Sequence, residues 1–201
     1  MPNSNNFKNS NLNLPNGLTL IRIILIPIFI ILYYLPVAYH YELAALVFTI
    51  ASLTDWLDGF IARKLQQETN FGAFFDPIAD KLIVVIALML LLGEYNSYWI
   101  TVPVIFIVSR EIIISGLREW MAGIGQAKLV AVAYLGKVKT TVQMLSIIIL
   151  LSQEPIVSQG FTSFSNFVQL GIVLLLVAAI LSIWSMVSYF CCAWPKLFKI
   201  S

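Results

Sequence analysis

The sequence is poor in charged residues and contains one histidine and two cysteines. Only 11% of its 201 residues are charged, whereas a soluble globular domain has about 25%. His40 is the single histidine, which argues against a histidine base and against a zinc site with histidine ligands. Cys191 and Cys192 are adjacent and cannot easily bridge each other, so we expect reduced packing residues, with lipidation as the alternative. The net charge of +2 is too small to indicate binding to nucleic acid.

Apolar residues dominate the chain. They make up 60% of the sequence, and the mean hydropathy is +0.90. A hydrocarbon core roughly 30 Å thick is crossed by about 20 residues of helix, and stretches of that length occur near residues 19–39, 41–63, 72–93, 97–118, 134–152 and 167–190. We therefore predict an all-α integral membrane protein with six transmembrane helices.

Outside these stretches the organisation is simple. Residues 1–13 form a polar tail rich in Asn and Ser, and the turn signal Pro15-Asn16-Gly17 is expected to end it. The sequence contains no internal repeat, and residues 14–201 are predicted to form a single membrane domain.

Basic residues are distributed unevenly. With six spans, all twelve lysines and arginines fall on one membrane face or in the membrane half next to it. The opposite loops, near residues 36–42, 94–98 and 153–166, contain none. Because Lys and Arg are retained on the cytoplasmic side, we predict a multi-pass protein of the cytoplasmic (inner) membrane with both termini in the cytoplasm. Contact of these groups with anionic membrane lipid follows from that topology.

Four aspartates interrupt the second and third apolar stretches: Asp55, Asp58, Asp76 and Asp80. An ionised carboxylate at the bilayer centre costs about 2.5 to 3.5 kcal/mol even on a lenient scale, so four together need a compensating partner. On a helix the first pair stands about 60° apart and the second about 40°, and both pairs lie at depths of about 6 to 12 Å from the cytoplasmic side. Carboxylates at matching depths are predicted to hold two Mg²⁺ ions, with Mn²⁺ as a substitute.

Gly59, Ala62 and Arg63 share the helix face of Asp58. The two small residues leave room for a bulky ligand, and Arg63 can bind a phosphate through two hydrogen bonds. Tight helix packing is the alternative interpretation of the small residues. Hydrogen bonding between helices is the alternative for the aspartates, and a divalent cation transporter is the alternative class of protein.

These residues resemble the signature of the CDP-alcohol phosphotransferases at eight specified positions, in the order Asp55-x2-Asp58-Gly59-x2-Ala62-Arg63-x8-Gly72-x3-Asp76-x3-Asp80. The resemblance implies a membrane enzyme in which Asp55 and Asp76 bridge two metal ions and Asp58 binds one of them. Asp80 would bind the other and act as the general base. It also implies that Gly59, Arg63 and Thr69 hold the CDP-lipid.

The entry of the first helix offers further contacts for the nucleotide. Asn16, Thr19 and Arg22 lie there on the predicted cytoplasmic face. An ordinary helix cap and a positive-inside anchor are the alternative interpretation.

Four cations lie on the same predicted membrane face as the aspartates: Arg110, Arg118, Lys137 and Lys139. The nearby carboxylates, Glu111 and Glu119, each follow an arginine and point about 100° away from it on a helix. We therefore expect unpaired cations that bind an anionic acceptor. Snorkelling at the interface is the alternative for Arg118 and Lys139.

The segments around residues 13–22, 109–119 and 136–143 look like those of the phosphatidylglycerophosphate synthase branch of the family. With them the resemblance covers roughly residues 13–143. It implies that sn-glycerol 3-phosphate attacks CDP-diacylglycerol to give phosphatidylglycerophosphate and CMP, in a homodimer. A cardiolipin synthase-like or phosphatidylserine synthase-like reaction stays open as an alternative.

Overall fold

The computed structural model of the protein describes residues 14–65, 70–125, 134–155 and 160–197, and within these ranges it is entirely helical apart from short connections. The helices are α1 (Leu14–Tyr34), α2 (His40–Leu65), α3 (Asn70–Tyr95), α4 (Tyr98–Gly123), α5 (Tyr134–Leu151) and α6 (Asn166–Leu197), with a short 3-10 turn at Phe161–Ser163. These ranges contain no strand. The all-α class is therefore confirmed, with one helix on each predicted apolar stretch. The predicted polar tail, residues 1–13, lies outside the described residues.

The start of α1 corrects the predicted turn at Pro15-Asn16-Gly17. The helix begins at Leu14 and continues without interruption through all three residues. Proline lacks an N–H group, but the first N–H groups of a helix have no acceptor within the helix, so Pro15 sacrifices no hydrogen bond there.

Clustering of the described chain gives two compact units, residues 1–83 and 84–201, with the division inside α3. In the first unit α1 packs against α2. Phe29 is fully buried there, and its ring centroid lies 6.0 Å from that of Phe48 and 6.3 Å from that of Tyr33. His40 Nδ1 lies 2.7 Å from the carbonyl oxygen of Tyr33. The histidine thus stabilises the end of this helix pair.

In the second unit α6 packs against both α4 and α5. Its buried face carries small residues, namely Gly171, Ala178, Ala179, Ser182 and Ser185. Small side chains allow two helix backbones to approach closely. The closest approach is to α5, where Ser146 Oγ donates a 2.7 Å hydrogen bond to the carbonyl oxygen of Gly171.

Within the described residues, two helical segments have the length and apolarity needed to cross a membrane, Tyr98–Gly123 and Asn166–Cys191. Shorter apolar helical segments lie at Leu20–Tyr34, His40–Thr54 and Val138–Leu151. Large apolar side chains such as Ile112, Phe167 and Trp184 are exposed on the protein surface, as expected where lipid replaces water. Six membrane crossings stay a prediction.

Gly171→Ala should destabilise the protein. A Cβ atom at Gly171 would lie 2.8 Å from Cγ and Cδ2 of Leu150, so the α5–α6 contact would have to widen. Overpacking of this kind costs about 1 to 3 kcal/mol. The melting temperature in detergent should fall, whereas Gly116→Ala, where nothing lies within 4 Å of the new Cβ, should leave it unchanged or raise it. Equal melting temperatures for the two variants would contradict the close approach.

Candidate active site

The predicted metal ligands lie on two helices of the first unit. Asp55 and Asp58 belong to α2, and Asp76 and Asp80 belong to α3. Both segments are helical, as the predicted angular spacing requires. The side chains of the four aspartates lie outside the described part of the structure. Among the side chains that are described, no group of three or more His, Cys, Asp or Glu is arranged to hold a metal ion.

The same limit applies to several residues that are predicted to contact the substrates. Gly59 lies in α2, but its surroundings are outside the described part. The same is true of the side chains of Ala62 and Arg63 in α2, Asn16 and Thr19 in α1 and Lys137 in α5, and Thr69 lies outside it altogether. Their roles stay predictions.

Arg22 in α1 is described, and its environment separates the two interpretations of this residue. The residue is only 1% exposed, which makes it one of the largest fully buried side chains of the described chain. A positive-inside anchor keeps its charged end at the lipid head groups. The burial of Arg22 therefore disagrees with a simple anchor, and ionisable groups inside membrane proteins are typical of functional sites.

A buried polar cluster joins α4, α5 and α6 in the second unit. Arg110 Nη1 donates a 3.1 Å hydrogen bond to Glu111 Oε1, and Arg110 Nη2 donates a 3.0 Å hydrogen bond to Ser185 Oγ. Lys139 Nζ donates to the same oxygen of Glu111. We call Arg110, Glu111, Lys139 and Ser185 the Glu111 cluster.

This arrangement corrects the expectation that Arg110 and Lys139 are unpaired. Adjacent residues diverge by about 100° on a helix, but the arginine side chain is long and flexible enough to bend back to its neighbour. Lys139 comes from another helix, and sequence spacing on α4 gave no information about it. One carboxylate therefore serves two cations.

The Glu111 cluster still carries an excess of positive charge. Two cations and one carboxylate leave a formal charge of +1. The side chains of Arg110 and Lys139 are 8% and 1% exposed, so water contributes little to their solvation. An anion that enters such a site interacts more strongly than it would at an exposed surface.

Two polar atoms next to this charge lack a partner within the described structure. Arg110 Nε is a buried donor, and Gln143 Oε1 is a buried acceptor one helical turn after Lys139. A buried group without a hydrogen bond costs about 1 to 3 kcal/mol.

The second arginine of α4 also contacts α6. Arg118 Nη2 donates a 2.9 Å hydrogen bond to Tyr189 Oη, and the guanidinium carbon lies 5.2 Å from the centroid of the Tyr189 ring. Tyr189 is itself buried against Ile114 and Met121. These contacts favour a fixed position for Arg118 over free snorkelling.

Sequence reasoning missed the contribution of α6. Ser185 and Tyr189 are one turn apart on its buried face, and Ser182 precedes Ser185 by three residues. A row of hydroxyl groups at helical spacing in an apolar stretch is a signal that could have found them. No charge marks this helix face, and so the last apolar stretch gave no prediction of a site.

Comparison with known proteins agrees with these observations. A family model described as CDP-alcohol phosphatidyltransferase matches residues 12–188. Because this match covers most of the chain, the protein belongs to the CDP-alcohol phosphatidyltransferase family. The resemblance found in the aspartate signature is thereby confirmed.

Similar proteins carry the name CDP-diacylglycerol–glycerol-3-phosphate 3-phosphatidyltransferase. That of Wigglesworthia glossinidia brevipalpis is 48% identical over 188 residues, which are 94% of this chain and 98% of the relative. That of Shigella flexneri serotype 5b is 49% identical over 177 residues, or 88% and 92% of the two chains. That of Sodalis glossinidius is 47% identical over 188 residues, with 94% and 98% covered.

Proposed function

We propose that this protein transfers the phosphatidyl group of CDP-diacylglycerol to sn-glycerol 3-phosphate, giving phosphatidylglycerophosphate and CMP. One observation carries the proposal: relatives named for this donor and this acceptor align with nearly the whole chain at 47 to 49% identity. The chain contains the complete aspartate signature, and the excess positive charge of the Glu111 cluster suits a phosphorylated acceptor.

The four aspartates form the catalytic centre of this proposal. Two helices supply carboxylate oxygens at spacings of three and four residues, and such hard ligands fit Mg²⁺ or Mn²⁺. As the family resemblance implies, Asp55 and Asp76 would serve both ions, while Asp58 would help to hold one ion and Asp80 the other. When bound, the ions polarise the phosphoryl group and stabilise the charge on the departing CMP.

Asp80 acts as the general base. Its carboxylate accepts the proton of an acceptor hydroxyl, whose oxygen then forms a bond to the phosphorus that carries diacylglycerol. The bond from that phosphorus to the oxygen of CMP breaks, and CMP leaves with the electron pair. The reaction needs correct positioning and charge neutralisation rather than a covalent protein intermediate.

The donor is held at the cytoplasmic end of the first three helices. Gly59 and Ala62 leave space for the CDP-lipid, while Arg63 and Thr69 bind its polar group. Asn16, Thr19 and Arg22 contact the nucleotide. The burial of Arg22 agrees with a position inside the protein rather than at the lipid head groups.

The acceptor phosphate is bound by Arg110, Arg118, Lys137 and Lys139. The buried positive charge of the Glu111 cluster and the unpartnered Nε of Arg110 support this role. With Glu111 these four cations carry a formal charge of +3, which a dianionic phosphate would lower to +1, and this reduces their mutual repulsion.

The membrane arrangement completes the proposal. The six helices cross the cytoplasmic (inner) membrane, both termini lie in the cytoplasm, and an intramembrane cleft opens to that side, where both soluble compounds, glycerol 3-phosphate and CMP, are exchanged. A homodimer is expected. The distribution of basic residues and the two long apolar helices support this arrangement.

The direct test is CMP release by the purified full chain in detergent. The assay contains CDP-diacylglycerol, Mg²⁺ and one acceptor at a time from glycerol 3-phosphate, phosphatidylglycerol, serine and glycerol. We expect release with glycerol 3-phosphate. If CMP is released only with phosphatidylglycerol or only with serine, the protein belongs to another branch of the family. Binding or transport of cations without CMP release would contradict the proposal.

Removal of the metal should stop the reaction. Excess EDTA should reduce CMP release to background, because four carboxylates without cations repel both each other and the diphosphate. Added Mg²⁺ or Mn²⁺ should restore the rate. Full activity in EDTA after dialysis would contradict a metal-dependent site.

Asp80→Asn should lower turnover by roughly a hundredfold or more, because an amide cannot accept the proton of the alcohol. Binding of CDP-diacylglycerol should be partly retained, since three aspartates stay in place. Glu94→Gln provides a matched control, because it removes a carboxylate from the other end of the same helix. Retention of the wild-type rate by Asp80→Asn would refute its role as the base.

Arg110→Ala should raise the KM for glycerol 3-phosphate by roughly tenfold to a hundredfold, the expected effect of losing a charged hydrogen bond. The KM for CDP-diacylglycerol should change little, because Arg110 is assigned to the acceptor. Arg110→Lys retains the charge but loses the planar fork, so it should give an intermediate value. An equal effect on both substrates would count against an acceptor-phosphate site.

A further inference from the structure

We infer that Glu111 is a positioning residue for the acceptor phosphate: its carboxylate holds Arg110 and Lys139 together as one phosphate-binding group. The inference rests on the proposed function, which assigns the two cations to the acceptor but gives Glu111 no role. Ser185 of α6 assists by holding the other end of the arginine.

The shared oxygen is the central observation. Glu111 Oε1 accepts hydrogen bonds from Arg110 Nη1 on α4 and from Lys139 Nζ on α5. The lysine is 28 residues away along the chain, so the contact is a tertiary one. Helices α4 and α5 each pack against α6, and Glu111 links them directly at this level.

The link matters because the two cations repel each other. Both are buried, so solvent screening is weak and like charges cannot stay side by side without a counter-charge. The carboxylate of Glu111 supplies that counter-charge before any substrate binds. It therefore preorganises the two groups that the phosphate has to meet.

The bonds to the protein also decide which donors are left for a ligand. Arg110 uses Nη1 on Glu111 and Nη2 on Ser185, which fixes the plane of the guanidinium group. Its buried Nε is left without a partner in the described structure. The ammonium of Lys139 has three hydrogens, and its bond to Glu111 engages one. A phosphate oxygen can accept from the remaining donors of both residues.

Glu111 has two opposing effects on phosphate binding, and the direction of the change in KM shows which effect is larger. A carboxylate next to a phosphate site repels the phosphate, so its loss would lower the KM if repulsion dominated. Loss of the carboxylate also removes the link that holds Arg110 and Lys139 together, which would raise the KM. Because Arg110 and Lys139 are both buried and repel each other strongly without a counter-charge, we expect the loss of organisation to dominate.

The chain offers a matched control in Glu119. This residue also lies on α4 and directly follows an arginine, but it is exposed, and the described residues include no salt-bridge partner for it. Glu111→Gln and Glu119→Gln thus remove the same charge from the same helix. Only the first removes the link between the two cations.

The experiment compares both variants with the wild type by CMP release from the purified full chain in detergent. Glu111→Gln should raise the KM for glycerol 3-phosphate about tenfold, equivalent to one charged hydrogen bond, and leave the KM for CDP-diacylglycerol within about twofold of the wild type. Glu119→Gln should change neither constant. A lowered or unchanged KM for glycerol 3-phosphate in Glu111→Gln, or an equal rise for both substrates, would overturn the inference.

A second pair of variants tests the same point with a smaller change. Ser185→Ala removes only the hydroxyl that holds Arg110 Nη2, and it should raise the KM for glycerol 3-phosphate about threefold to tenfold. Ser185→Thr retains a hydroxyl and should restore most of the affinity. If Glu111→Gln does not fold, this pair decides, and no difference between Ala and Thr would overturn the inference.

The wild-type assay separates this inference from the proposed function. If the wild type releases CMP with glycerol 3-phosphate and the variants behave like it, the inference fails alone. If the wild type does not use glycerol 3-phosphate, the proposed function and the inference fail together.

Discussion

Every charge inside this apolar chain has to be compensated, and the rest of the structure depends on that constraint. The two sets of charged groups meet it in different ways. Four aspartates lie on α2 and α3, and we propose that divalent cations compensate them. Arg110 and Lys139 in α4 and α5 share the carboxylate of Glu111 and keep one positive charge in excess. We propose that the first set binds cations and that the second binds a phosphate.

Helix α6 has an equally specific role. Its small residues let α5 approach closely, with the Gly171 carbonyl bonded to Ser146. Nearer its carboxyl end, Ser185 and Tyr189 accept hydrogen bonds from the two arginines of α4, Arg110 and Arg118. A helix that is almost entirely apolar thus fixes charged side chains on its neighbour. Packing and site geometry depend on the same face of this helix.

Much of the fold could be predicted from the sequence, because apolar length and charge distribution are properties of the chain itself. One helix was found on each predicted stretch, and the aspartates lie on α2 and α3 as expected. The start of α1 could not be predicted, since proline breaks a helix interior but fits a first turn. The bond between Glu111 and Lys139 could not be predicted either, because it depends on which helices become neighbours and on how far two flexible side chains extend.

The central claim is that the aspartates of α2 and α3 hold two divalent cations. Its most direct test is a titration of the purified protein with Mn²⁺, followed by electron paramagnetic resonance. We expect two Mn²⁺ ions bound per chain, and a loss of tight binding when Asp55 and Asp76 are both changed to Asn. Equal binding by the wild type and the double variant, or no binding by the wild type, would contradict the account.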